Sequence, residues 1–116
     1  MKETITYDGR RFRGRNNSEG GEVSGETRFE YHQEGDLLWG HYAGGSVEEG
    51  HLLGTVHPDN RLSFCYHHRN TDGVLMAGRC ESKPRWDGER LVLEESWQWL
   101  TGDQSSGFSE VEEIDG

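Results

Sequence analysis

In YHHRNTDGVLMAGRC, Tyr66 to Cys80, two adjacent histidines, a turn signal and a cysteine fall within fifteen positions. Imidazole and thiol are both metal ligands and proton carriers, so a metal site, half of a catalytic pair and a plain hairpin compete for this stretch. A second candidate lies in EESWQWL, where Glu95 stands two residues before Trp97 and four before Trp99. A carboxyl among indole rings holds its proton to higher pH than in water, which suits it to proton transfer or to gripping a polar ligand group. Which of these groups meet depends on the elements that carry them.

Side chains alternate along a strand, so His67 and His68 point to opposite faces and cannot share one metal within their strand. A three-residue Thr71-Asp72-Gly73 loop pairs Asn70 with Val74. Phe64 then faces Cys80, Tyr66 faces Gly78 and His68 faces Met76, while Cys65 falls opposite Arg79 on the other side of the sheet. A two-residue Asp72-Gly73 turn would set Cys65 against Cys80, so the pairing hangs on one residue of loop length. A Pro58-Asp59-Asn60 loop pairs His57 with Arg61 and puts Leu52 and Val56 beside Leu62, Phe64 and Tyr66. An Asp87-Gly88 turn pairs Trp86 with Glu89, sets Glu95 opposite Cys80, and brings Leu91, Leu93, Trp97 and Trp99 to the same face. A turn at Glu34-Gly35-Asp36 gathers Phe29, Tyr31, Trp39 and His41. The predicted ligand-facing set is therefore Tyr31, Trp39, His41, Tyr66, His68, Met76, Cys80, Glu95, Trp97 and Trp99.

The segments that carry these residues read as Thr4–Tyr7, Arg10–Arg13, Glu22–Gln33, Leu37–Gly44, His51–His57, Arg61–Arg69, Val74–Ser82, Arg90–Trp99 and Phe108–Ile114. Turn signals roughly every 8–12 residues mark an all-β domain. RLVLEESWQWL also fits a helical face, but the Asp-Gly before it favours a strand. The 116 residues include 17 glycines and 12 aromatic residues, a composition suited to twisted strands and glycine turns rather than packed helices. The expected fold is an antiparallel up-and-down meander of eight or nine strands, closed or nearly closed into a small barrel, because closure removes the exposed edges. One domain spans 1–116, with 14–21 as a flexible insert. The pattern is similar to the lipocalin, fatty-acid-binding and avidin barrels, although the lipocalin Gly-x-Trp signature is missing from the first strand.

A formal charge of −10 repels phosphate backbones and anionic lipid, which weighs against nucleic-acid and membrane roles. The start, MKETITYDGR, is polar and no apolar run approaches spanning length, so a cytoplasmic protein with free thiols is expected. On the outer face, His51 and His67 stand opposite one another with Cys65 two positions along, a set that could bind zinc; its sequence spacing matches no zinc motif. No Walker loop, Gly-x-Gly-x-x-Gly, His-Glu-x-x-His or Cys-x-x-Cys is present, and no cofactor is expected.

ITYDGRRFR, NTDGVLMAGRC and ESWQWLTGDQSSGFSEVEE together resemble a family of small bacterial proteins often labelled N-acetylglutamate synthase. The resemblance implies a compact β protein across nearly the whole chain and supplies no catalytic residues. Synthases of that name use an acetyltransferase fold with helices and a coenzyme A phosphate loop. QSSGFS is only a faint echo of such a loop, and no helix is expected after it.

The leading expectation is a barrel that binds an apolar or aromatic small molecule bearing a polar group, walled by Trp39, Tyr66, Trp97 and Trp99 and oriented by His68 and Glu95. Two others stand beside it: a small enzyme using Glu95 and His68 as a proton-transfer pair, and a filled barrel serving interaction or assembly, homo-oligomer included. The plainer account of the polar groups is a buried network satisfying itself.

Overall fold

The computed structural model describes residues 4–17 and 21–114. Its strands are β1 (Arg11–Asn17), β2 (Arg28–Glu34), β3 (Leu37–Gly44), β4 (Val47–Val56), β5 (Leu62–Asn70), β6 (Leu75–Asp87), β7 (Arg90–Trp99) and β8 (Ser106–Glu113). Each pairs antiparallel with its sequence neighbour, and β8 pairs back with β1 to close the barrel. Closure gives every strand two partners, which an open meander of this size could not. Among the described residues there is no helix, and so none long and apolar enough to cross a membrane. Arg90 to Trp99 is strand throughout, which settles the one helical ambiguity.

The strand alternation sends Phe12, Phe29, Tyr31, Leu38, Tyr42, Leu52, Phe64, Leu93, Trp97 and Val111 into one buried core. The segment before β1, expected as a strand, instead folds across one end of the barrel, where Ile5 and Tyr7 are buried. Its polar groups bond to side chains and turns: the Ile5 amide donates to Asn60 Oδ1 at 2.9 Å, the Tyr7 hydroxyl to the Asn60 carbonyl at 2.6 Å and the Tyr7 amide to Gln33 Oε1 at 2.8 Å. Asn60 holds this plug from a left-handed backbone with φ of 74°. Asn60→Ala is expected to cost about 2 kcal/mol in urea denaturation, from a stripped buried amide and left-handed strain. Asn60→Gly relieves only the strain, so a smaller but nonzero loss there isolates the Ile5 bond.

The pairings His57–Arg61, Phe64–Cys80 and His68–Met76 fall as the loops predict. Cys80 is buried, Cys65 is exposed opposite Arg79, and both are free thiols. Three expectations need correction. The β2–β3 turn holds two residues, not three: Glu34 pairs with Leu37, and Tyr31 with Gly40. Because side chains alternate, that one-residue difference turns Trp39 and His41 outward and brings Leu38 and Tyr42 inward. At β6–β7 the loop is Gly88-Glu89, so Asp87 pairs with Arg90, Ser82 with Glu95, and Cys80 with Trp97 rather than with Glu95. That shift is by two positions, and every residue keeps its face. Finally, residues 14–17 of the expected insert belong to β1, which bulges between Gly14 and Asn16; residues 18–20 lie outside the described residues.

The outer surface has two characters. Across β8, β1 and the start of β7, Arg10 pairs with Glu113 at 2.8 Å, while Arg13 and Arg90 reach Glu112 at 2.7 and 3.2 Å. Val92, pointing outward beside Arg85 and Glu112, is fully buried. On β2 to β5 the surface is aromatic and imidazole-rich. His32, His41, His51 and His67 stand in a row with successive ring centroids 6.2, 6.5 and 5.7 Å apart, and Trp39 stacks on His32 at 5.6 Å. Cys65 sits beside the row, but among the described residues no three histidine, cysteine or carboxylate side chains are placed to hold a metal ion.

Candidate functional site

At the end of the barrel away from the plug lies a cavity of about 40 Å³, room for on the order of three water molecules. Its walls include Phe29, Tyr42, Phe64, Tyr66, Trp97 and Trp99, and its polar groups are Asn17, Glu22, His68, Cys80, Glu95 and Ser109.

Two glycines make the ring contacts around it. Gly50 on β4 pairs with Tyr42 on one side and His68 on the other. With no side chain between them, the Tyr42 ring lies over β4 and its hydroxyl meets His68 Nδ1 at 2.8 Å. Gly78 on β6 plays the same part between Tyr66 and Trp99, whose rings approach to 5.4 Å. A Cβ at Gly78 would stand 2.5 Å from the Tyr66 hydroxyl.

Residues 21–23, ahead of β2, lie at the mouth. Glu22 Oε1 meets His68 Nε2 at 2.6 Å, and Asn70 donates to Glu22 Oε2 at 3.0 Å. Val23 packs against the core beside them. His68, 2% exposed, thus links this segment to Tyr42 on the wall. A carboxylate needs a donor, so Nε2 carries hydrogen toward Glu22, and Nδ1 shares a hydrogen bond with the Tyr42 hydroxyl. Tyr42→Phe leaves that buried nitrogen bare and is expected to cost about 1–3 kcal/mol in chemical denaturation.

Glu95 lies deeper, 9% exposed. The Ser82 hydroxyl donates to its Oε2 at 3.0 Å and the Ser109 hydroxyl to its Oε1 at 3.2 Å. Burial pushes its pKa up to about 7, against the opposing pull of hydrogen bonds from Ser82, Ser109 and Cys80. Burial, and then the Glu95 charge, also raises Tyr31 and Cys80 well above their ordinary ranges, so both stay neutral near pH 7.

Among the described residues, three buried polar atoms have no hydrogen-bond partner: Trp97 Nε1, Asn17 Oδ1 and the Tyr31 hydroxyl. Trp97 and Asn17 line the cavity. A buried orphan donor and acceptor carry an uncompensated desolvation cost of roughly 1–3 kcal/mol each, which a bound polar group would relieve.

Of the ten predicted residues, Tyr66, His68, Cys80, Glu95, Trp97 and Trp99 line the cavity. Tyr31 is buried in the core and Met76 packs at its edge, whereas Trp39, 37% exposed, and His41 lie outside. Glu95 and His68 face the same space, but each is hydrogen-bonded to other groups and not to its supposed partner. Sequence reasoning missed Asn17, Glu22, Tyr42, Ser82 and Ser109. A two-residue turn at Gly35-Asp36 would have revealed Tyr42, and the Gly88-Glu89 loop would have revealed Ser82. No local pattern marks Glu22.

An eight-stranded closed meander with a ring-lined cavity at one end places this chain among the calycin-like barrels. The chain belongs to the avidin-like family: the family model described as avidin-like protein matches residues 5–114. That match lends no support to the synthase label. No curated protein and no solved structure matches the chain.

Proposed function

We propose that the protein binds a small molecule inside the barrel, its apolar or aromatic body against Tyr66, Trp97 and Trp99 and its polar group among His68, Cys80 and Glu95. The carrying observation is the unpartnered Trp97 N–H in a cavity otherwise walled by rings. Membership of the avidin-like family supports the same reading. The cavity falls below the roughly 300 Å³ of ordinary ligand pockets, so anything larger than a few heavy atoms must displace the Glu22 segment. Breaking the Glu22–His68 contact is then part of binding, and Glu22→Gln is expected to speed ligand entry.

Tryptophan fluorescence against a panel of small amides, amines, carboxylic acids and biotin tests this, in a Trp39→Phe, Trp86→Phe background that leaves only the two cavity indoles. Saturable change with at least one compound is the expected result; a flat response to the whole panel contradicts it. A homo-oligomer is part of the reading on family grounds alone. Light scattering checks it, and a monomer at high concentration would remove it. A proton-transfer pair of Glu95 and His68 has no contact between the two to support it: Glu95 bonds to Ser82 and Ser109, and His68 to Tyr42 and Glu22.

A further inference from the structure

We propose, resting on the small-molecule reading above, that the ligand is an organic ammonium whose charged nitrogen binds at the Glu95 carboxylate while its carbon body lies against the faces of Trp97 and Trp99. The cavity holds two carboxyl groups, and among the described residues no lysine or arginine lines it. Glu22 sits at the mouth and is already held by His68 and Asn70. Glu95 has only hydroxyl and thiol neighbours, which stabilise a negative charge without balancing it. A buried carboxyl left in that state calls for a cation and rejects an anion. The cavity is also lined by the rings of Tyr42, Tyr66, Trp97 and Trp99, which adds to the same preference, because a desolvated ammonium is attracted to aromatic rings. The unpartnered Trp97 N–H lies in this same cavity and is available to an acceptor elsewhere on the ligand. A primary ammonium also occupies about the space of one water, so its head group fits the room that is present.

Binding of a cation would draw Glu95 into its charged form and release a proton. Around Glu95 the ionisable groups are Tyr31 on β2, Tyr42 on β3, Tyr66 and His68 on β5, Cys80 on β6, and Glu22 at the mouth. Burial raises the three tyrosines and the thiol, so they remain neutral near pH 7, and the Glu95→Gln variant distinguishes a proton released by Glu95 from one released by His68 or Glu22.

Three probes of nearly one shape separate the outcomes: benzylammonium, benzyl alcohol and benzoate, titrated calorimetrically into the full chain and into Glu95→Gln, whose folding is checked by circular dichroism. Benzylammonium is expected to bind at least about tenfold more tightly than benzyl alcohol, the worth of a charge-assisted hydrogen bond, and benzoate most weakly. Its affinity should rise between about pH 6 and pH 8 with proton release, while that of the alcohol stays flat. In Glu95→Gln the tenfold gap and the proton release should both vanish. Equal binding of alcohol and ammonium, or a preference that survives in Glu95→Gln, overturns the ammonium assignment and leaves the small-molecule reading standing. Binding of none of the three also overturns the assignment, and the small-molecule reading then rests on the broader panel.

Discussion

Glu95→Gln is expected to make the protein more stable near pH 8 and to flatten its dependence on pH. The folded state holds the Glu95 proton to about pH 7, whereas an unfolded glutamate releases it near its ordinary value of 4.5. Between those values the native chain binds more protons than the unfolded one, so stability falls as pH rises. The loss is complete once pH passes the folded value and absent below the unfolded one. Its size over that window is about 3 kcal/mol, from 1.36 kcal/mol per unit of displacement. Glutamine keeps the shape and remains neutral, so the variant lacks this term. The difference between the two proteins, measured by urea denaturation at about pH 4 and pH 8, cancels the titration of the surface acids common to both. A difference that does not change with pH would mean that Glu95 is not held in an environment hostile to charge.

The second large effect is expected at a residue with no side chain. A Cβ on Gly50 would lie 2.5 Å from Tyr42 Cζ and 2.8 Å from His68 Cβ. The tyrosine tip could swing aside, but the histidine Cβ is fixed by the backbone of β5. Gly50→Ala is therefore expected to cost about 1–3 kcal/mol from overpacking, plus about 1–3 kcal/mol for the buried His68 nitrogen that loses its phenol. Pairing the change with Tyr42→Phe separates these contributions, because in that background the hydrogen bond is already gone. If Gly50→Ala is as costly there as alone, the glycine does not serve the Tyr42–His68 contact.

How much of this was legible in the sequence turns on two glycines in turns. Gly35 and Gly88, at φ of 61° and 65°, each occupy the first central position of a two-residue loop, followed by Asp36 and Glu89. Reading Asp87-Gly88 as the turn moved the loop by one residue and the pairing by two. The inward face of β7 was right while its partners were wrong, and the Ser82–Glu95 bond was missed. Reading Glu34-Gly35-Asp36 as a three-residue loop changed its length by one, which inverted β3 and exchanged Tyr42 for Trp39 and His41. The Pro58 loop has one natural reading, and at Thr71 the three-residue loop, not the rival two-residue Asp72-Gly73 turn, is the one that forms, so the register from Leu62 to Ser82 was legible. The fold class survived both errors because it depends on the number and spacing of strands and not on their phase. Glu22 could not be found locally: its role comes from a contact at the barrel mouth with a histidine 46 residues away.

The indole N–H signals of the four tryptophans in a ¹⁵N-labelled sample offer the most direct test of the barrel as a binding site. Trp97 and Trp99 are interior, whereas Trp39 and Trp86 are on the outside. On adding a bound compound, the Trp97 signal should move furthest, as its orphan proton gains an acceptor, with Trp99 following and the two outer indoles unchanged. Movement of Trp39 or Trp86 while Trp97 stays still would place the binding surface on the outer wall and contradict the account.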